Sequence, residues 1–431
     1  MSLAVHDVRP LNRSGLLACL RDRGPLARGD LARELALSHS AVTNVAAELL
    51  LDGVLKEESP DLTGERRVGR PSTTLAIDEA SRTVIGVQVG VGTVHVALCD
   101  LFGQVLAKES RCFSVEDGPA AAVSAIVPAS RTLLNEVSTP ILGIGVGAPG
   151  PVDEEARVNL MSVNLGWSDV PFADLLEEAL DLPTVVDHNV RAMAIGESRF
   201  GRFRGADSLA FVYARTGIGA GMVVGGRPYR GGVHGVIELG HLPVTPSGPL
   251  CACGNRGCLE AFVAEPALER IVGAAGKRRG TPIARALHSG ATPIAAVLRA
   301  VETGDPTAEA LLSGLIEHFA TALVGMVNLL NPAVVIAGGY LSEVGDTLID
   351  QLRALLVSRA FPVLRSRIQL EPASFGADSG VVGAAALALD TFFYDPQIRG
   401  RGGPKAREAA ARASRAVRGP KPRPTVRKVH A

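Results

Sequence analysis

The sequence predicts an α/β protein in two folded parts, a small N-terminal winged helix-turn-helix and a larger domain built as two lobes. Three observations carry that expectation. Helix-period apolar spacing runs from about residue 12 to residue 51 and leads into a basic loop containing Gly and Pro. Further along, one order of strand, glycine turn and strand occurs twice. Beyond the second copy, three of the six cysteines crowd into one short polar loop.

A chain of 431 residues exceeds one average domain, so two folded units and a tail are expected, with boundaries at 1–80, 81–394 and 395–431. Hydrophobic residues make up 47%, enough for a sizeable core. The 44 basic residues balance 44 acidic ones, so any affinity for nucleic acid must come from local patches. Met1 is not followed by a basic segment plus an apolar run, and no uninterrupted apolar stretch reads as a membrane span. A cytoplasmic protein with no membrane association is expected, with Cys19, Cys99 and Cys112 as reduced core thiols.

In the N-terminal part, Leu16, Leu17 and Leu20 space one helical face, Leu31, Ala32 and Leu35 a second, and Val42, Val45, Leu49 and Leu50 a third. Leu37-Ser38 is the turn between the last two, and Ser38 caps the third helix. That leaves Ser38, His39, Ser40, Thr43 and Asn44 near base edges if the unit reads DNA. Residues 54–57 and 73–77 read as two wing strands. Between them, Arg66, Arg67 and Arg70 sit in a Gly-Pro tip that can reach phosphates or a narrow minor groove. A plain three-helix packing unit is the competing reading for helix three alone. After residue 394 the chain is rich in Arg, Lys, Pro, Gly and Ala, which reads as a disordered basic tail that is either inert or drawn to phosphates.

In the second part, Thr83-Val-Ile-Gly-Val-Gln88 is a strand, Gly90-Val-Gly92 a turn and Val94-His-Val-Ala-Leu-Cys99 a second strand. A helix over 120–137 leads into a strand over 141–146. Ser208-Leu-Ala-Phe-Val-Tyr213, a turn in Thr216-Gly-Ile-Gly-Ala-Gly221 and a following strand repeat the order. Glycines in such turns let backbone N–H groups approach an anion, although many glycine hairpins are only hairpins.

The cysteine loop reads Cys251-Ala-Cys253-Gly-Asn-Arg-Gly-Cys258, with His241 ten residues upstream. One nitrogen and three sulfurs make the ligand set of a closed structural Zn²⁺ site. Buried or redox-active cysteines are the alternative, but the run is too polar and too broken by Gly254 and Gly257 for a core strand. Four filled positions leave no place for a metal-bound water, so the ion would clamp the loop. Glu238 and Glu260 flank the ligands, and two carboxylates so presented suit polyol hydroxyls.

Glu238-Leu-Gly-His241 followed by Cys-Ala-Cys-Gly-Asn-Arg-Gly-Cys-Leu-Glu260 resembles the zinc signature of the ROK family of repressors and sugar kinases. The N-terminal segment, with Gly69-Arg70-Pro71, is similar to the winged helix of the family's regulators, and the duplicated units resemble the actin/hexokinase-like (ribonuclease H-like) fold. The resemblance implies that Glu238, His241 and Glu260 contact a sugar. It also implies that Asn164, in a loop with Trp167, faces the sugar and that Thr216, Gly217 and Gly219 form the second phosphate loop. Gly338-Gly339 matches the adenosine-side turn.

The sequence departs from the kinases of that family at two positions. Where they carry D-x-G-x-T, it has Gln88-Val-Gly90-Val-Gly92, so Gly90 and Gly92 remain as a phosphate-loop remnant without the Mg²⁺-organising carboxylate. Where they carry Asn-Asp, it has His188-Asn189, and the carboxamide of Asn189 cannot accept a proton at neutral pH. His188 is expected to point away from the base position, and as a ligand residue it replaces an Asn. The expectation is therefore a non-enzymatic transcriptional regulator, in the family's direction a repressor. It would bind a double-stranded DNA operator and a small carbohydrate as a homodimer or homotetramer. An ATP-dependent hexose or N-acylhexosamine kinase with an attached DNA-binding domain is the enzyme alternative. A ligand-independent DNA-binding protein is the third.

Overall fold

The computed structural model describes residues 8–58, 73–153, 157–232 and 234–394. Arg66, Arg67 and Arg70 of the expected wing tip and the expected tail over 395–431 lie outside the described residues.

The N-terminal unit runs α1 (Val8–Arg23), β1 (Leu26–Ala27), α2 (Arg28–Glu34), α3 (His39–Leu51), β2 (Leu55–Glu58) and β3 (Thr74–Ile77). Its leucines at 16, 17, 20, 31 and 49, with Val42, are almost fully buried, each contributing roughly 1.5–3 kcal/mol. Ser38 caps α3 by accepting from the Ala41 N–H at 3.2 Å. A Schellman turn ends the helix, with Val54 N–H donating to Leu49 O at 2.9 Å and Gly53 at φ +66°. The wing is a three-stranded sheet in the order β1-β3-β2, one strand more than expected. Two-residue β1 carries too little pattern to be read from sequence.

The first lobe contains β4 (Thr83–Val89), β5 (Thr93–Cys99), β6 (Val105–Cys112), α4 (Pro119–Asn135) and β7 (Ile141–Ala148). A small sheet of β8 (Val152–Asp153), β9 (Val158–Ser162) and β10 (Trp167–Val170) follows, then α5 (Phe172–Leu180), β11 (Thr184–His188) and α6 (Asn189–Phe200). The second lobe begins with β12 (Ser208–Ala214), β13 (Ile218–Val224) and β14 (Arg227–Pro228). Next come α7 (Glu260–Val263), α8 (Glu265–Gly276), α9 (Pro282–His288), α10 (Pro293–Glu302) and α11 (Pro306–Leu330). It closes with β15 (Val334–Gly339), α12 (Tyr340–Glu343), α13 (Asp346–Arg359), β16 (Leu370–Pro372) and α14 (Ser379–Leu389).

The two main sheets have one topology. In β11-β7-β4-β5-β6 and in β14-β13-β12-β15-β16, an antiparallel three-strand meander is extended by two parallel strands on its first member. The duplication read from the glycine turns is thus a duplication of whole sheets. Helix α14 packs on β4, β7 and α6, and every one of its residues is buried. Glycines permit that approach: a Cβ on Gly145 would stand 1.8 Å from Ala384 O, and one on Gly86 2.2 Å from Val381 O.

Cys112 and α11 differ from expectation. Cys112 is exposed, whereas Cys99 is buried, so only the latter is a core thiol in the expected sense. Trp167 packs in the first-lobe core, with ring centroids 5.8 Å from Phe113 and 6.4 Å from Phe172. Among the described residues, α11 is long and apolar enough to cross a membrane, in contrast to the expectation that no such stretch exists; Leu312, Leu315, Phe319, Leu323 and Met326 on it pack into the second-lobe core.

Candidate functional site: the cleft between the sheets

The ends of the two sheets face each other across a cavity of about 850 Å³. From the first lobe, the end of β4 brings Gln88, the β4–β5 turn Gly90, the β9–β10 turn Asn164, and the β11–α6 junction His188 and Asn189. From the second lobe come Thr216 and Gly217 on the β12–β13 turn and Gly219 at the start of β13, with Glu238, His241, Cys253 and Glu260. Residues expected at one ligand site from six separate stretches therefore line one cavity. Gly92 is the exception. It sits at φ +72° within the hairpin and accepts from Phe113 N–H at 3.0 Å, while Thr93 lines the wall instead.

The loop carrying Glu260 is shaped by the cysteines. His241 Nδ1 lies 3.6 Å from Cys251 Sγ, and Cys253 Sγ lies 3.8 Å from Cys258 Sγ. All four ligand atoms of His241, Cys251, Cys253 and Cys258 fall within 4.8 Å of one another, so the cluster can hold a metal ion. Gly257, at φ +74°, lets the loop close, because a Cβ there would stand 1.9 Å from Thr245 O. His241 also lines the cavity, and its Nε2 lies 4.0 Å from Glu238 Oε2. One imidazole thus joins the metal cluster to the cleft wall.

Glu260 is buried and its Oε2 accepts the Ile218 N–H at 3.0 Å, tying the metal loop to the β12–β13 turn. A Cβ on Gly217 would stand 2.8 Å from Asn164 Nδ2 and 3.0 Å from Glu260 Oε2, so glycine there keeps both side chains close to the turn. Burial pushes the Glu238 carboxyl up, nearby His241 pulls it down and Glu260 pushes it up.

At the β11–α6 junction, buried Asp187 pairs with Arg191 through two hydrogen bonds, one of them Nε to Oδ2 at 3.0 Å, and with Arg230 at 3.2 Å. This fixes His188 and Asn189 at the cavity. Asn189 Oδ1 accepts the Val190 N–H at 2.8 Å. His188 lines the cavity too, among the residues expected at the ligand site. Burial, then the neighbouring Arg191, drive its pKa down to about 3, and its Nδ1 has no hydrogen-bond partner among the described residues. So weak a base is poorly matched to removing a hydroxyl proton at neutral pH. Gln88 is nearly buried against the start of α14, where a Cβ on Gly380 would stand 1.9 Å from Gln88 Oε1.

Sequence reasoning missed Arg215. It precedes the glycine turn directly, which was the available signal. It hydrogen-bonds Tyr213 Oη at 3.2 Å and pairs with Glu265 at 3.4 Å and with Glu343. Arg215 and Glu343 also line a second cavity of about 540 Å³ next to α12, the helix that follows Gly338-Gly339.

On the N-terminal unit, Ser38, His39, Ser40, Thr43 and Asn44 are all exposed on or at the start of α3. Val42, Val45, Ala46 and Leu49 hold the opposite face in the core.

Twin sheets around a cleft, with a His-Cys₃ loop at its wall, define a sugar-kinase-like two-lobed protein, here joined to a winged helix. The chain belongs to the ROK family, whose profile matches residues 84–391. It is 25% identical over 395 residues to the xylose repressor of Caldicellulosiruptor bescii, covering 90% of this chain and 98% of the relative. It is 30% identical over 315 residues to the glucokinase of Halalkalibacterium halodurans, covering 72% of this chain and 95% of the relative. A crystal structure described as a ROK family transcriptional regulator, homolog of E. coli MLC protein, superposes with a TM-score of 0.76 at 24% identity. That match spans 96% of this chain and all of the other.

Proposed function

We propose that the protein is a transcriptional regulator that binds operator DNA through its winged helix and senses a small carbohydrate in the interlobe cleft. One observation carries the reading: the winged helix is present while Gln88 and Asn189 line the cleft where the family's kinases use carboxylates. The extent of the likenesses supports it, since the repressor relative spans 90% of this chain and the kinase relative 72%.

In this reading Ser38, His39, Ser40, Thr43 and Asn44 approach base edges, and Arg66, Arg67 and Arg70 reach phosphates or the minor groove. The basic tail adds salt-sensitive attraction. Asn164, His188, Asn189, Glu238, His241 and Glu260 hold the sugar, and the glycine turns are relics of phosphate loops. Zinc is the ion we assign to His241, Cys251, Cys253 and Cys258. Tetrahedral sulfurs ~2.3 Å from zinc stand ~3.8 Å apart, and the Cys253–Cys258 separation of 3.8 Å supports that choice. Bound there, the ion acts as a clamp on the loop carrying Glu238 and Glu260. The protein works in the cytoplasm as a homodimer or homotetramer, because two winged helices must match the spacing of two half-sites. Ligand-driven change in lobe closure alters that spacing and relieves repression.

The test is fluorescence anisotropy of purified protein on DNA from its own promoter region, with and without a panel of sugars. Sequence-specific binding that a sugar weakens is the expected result. ATP-dependent phosphorylation of a sugar by the same preparation would establish the kinase reading, which the glucokinase likeness keeps in view. DNA binding indifferent to every sugar would favour a ligand-independent regulator.

A further inference from the structure

We propose that the interlobe cleft selects an uncharged carbohydrate and rejects its phosphate esters; this rests on the reading of the cleft as a carbohydrate site. The ionic lining is unbalanced. Glu109, Glu238, Glu260, Glu343 and Asp378 border the cavity, against Lys108 and Arg215.

Both cations are already committed. Lys108 Nζ donates to Asp378 Oδ1 at 2.9 Å, at the start of α14, and Arg215 is shared between Glu343 and Glu265. A phosphate entering the cavity meets two ion pairs rather than two open charges.

Two backbone donors at the glycine turns are engaged as well. The Ile218 N–H donates to Glu260 Oε2 at 3.0 Å, and the Gly90 N–H donates to Thr93 O at 2.9 Å. The chain's own carboxylate occupies the place at the second turn where an exogenous anion would otherwise bind. A phosphate dianion would have to displace Glu260 or break an ion pair, and would add to an excess of negative charge. Hydroxyl groups meet no such opposition. They donate to the carboxylates and accept from the side-chain amides of Asn164 and Asn189. The same glycine turns that would suit a phosphate in an open loop thus serve here to seat Glu260.

Calorimetric titration of the full chain against matched pairs tests the proposal: xylose and xylose 5-phosphate, glucose and glucose 6-phosphate, N-acetylglucosamine and its 6-phosphate. One neutral sugar is expected to bind, with its ester weaker by about tenfold or more at low salt. The gap should narrow as salt screens the cleft and in Glu109→Lys. Inorganic phosphate alone should give no thermal shift. An ester that binds as tightly as its parent sugar, or a phosphate shift that Arg215→Ala abolishes, overturns the selectivity while leaving the carbohydrate reading intact. If neither member of any pair binds, the carbohydrate reading itself fails and the selectivity falls with it.

Discussion

Arg21, on the first helix of the winged-helix unit, reaches the segment that follows α14. Its Nη1 stands 3.8 Å from Asp390 Oδ1, and its guanidinium carbon lies 4.7 Å from the ring centroid of Tyr394. Asp390 is also paired with Arg199 at the end of α6, and Tyr394 donates to Leu101 O at 2.8 Å. The segment after α14 thus plugs into α1, while the start of the same helix meets Gln88 at the cleft. A single buried helix spans the distance from candidate ligand site to candidate DNA-binding unit.

Removing that plug should loosen the winged helix. Both Arg21 and Asp390 are buried, and because Arg199 keeps Asp390 paired, losing the Arg21 guanidinium should cost about 1–3 kcal/mol. Arg21→Ala should lower the thermal midpoint and split one calorimetric transition into two. A single transition at the original temperature would show that the contact carries no coupling.

The space around each glycine predicts opposite effects for two Gly→Ala changes. In Gly145→Ala the new methyl meets Ala384 O, and overpacking of this kind costs about 1–3 kcal/mol. In Gly273→Ala, on α8, the methyl meets nothing within 4 Å and helix propensity should stabilise by roughly 1 kcal/mol. Urea titration of both variants gives the sign directly.

Metal removal should act on the cleft at a distance. Chelation, or Cys253→Ser, is expected to strip about one equivalent of zinc per chain, lower the thermal midpoint and weaken sugar binding together. Elemental analysis alongside calorimetry checks all three. Unchanged sugar affinity after complete metal loss would mean that the loop holds Glu260 unaided.

His188 sets an acid limit on stability. Its folded pKa is depressed to about 3 from an ordinary 6.5, so above 6.5 it is neutral in both states and its full contribution is present. As pH falls from 6.5 toward 3 the unfolded chain takes up the proton first, and stability is lost across that window. Thermal midpoints measured between pH 7 and pH 4 should fall less steeply in His188→Asn than in the parent. Equal slopes would remove His188 from the account.

Much of the architecture was legible because it is written locally. Three helical faces, the Ser38 cap, the repeated glycine turns and the His241–Cys258 spacing each lie within a few turns of chain, where periodicity and turn chemistry apply. The residues lining the cleft could be nominated for the same reason, through the motifs that carry them. Gly92 was misplaced because a turn sequence does not say which of its residues faces outward.

The sequence by itself determined the helical faces of the N-terminal unit, the duplicated strand-turn-strand units and the His-Cys₃ ligand set. Tertiary structure alone decided which charges neutralise which. Lys108 and Asp378 are 270 positions apart, Arg215 and Glu343 128, and each pair meets because sheet topology returns distant strands and helices to one cleft. It also decided that Trp167 belongs to the core, that Glu260 occupies the glycine turn and that Arg21 meets the segment after α14. Local spacing specifies an element because its interactions are short-range; a contact between elements depends on how whole sheets pack, and no run of neighbouring residues encodes that.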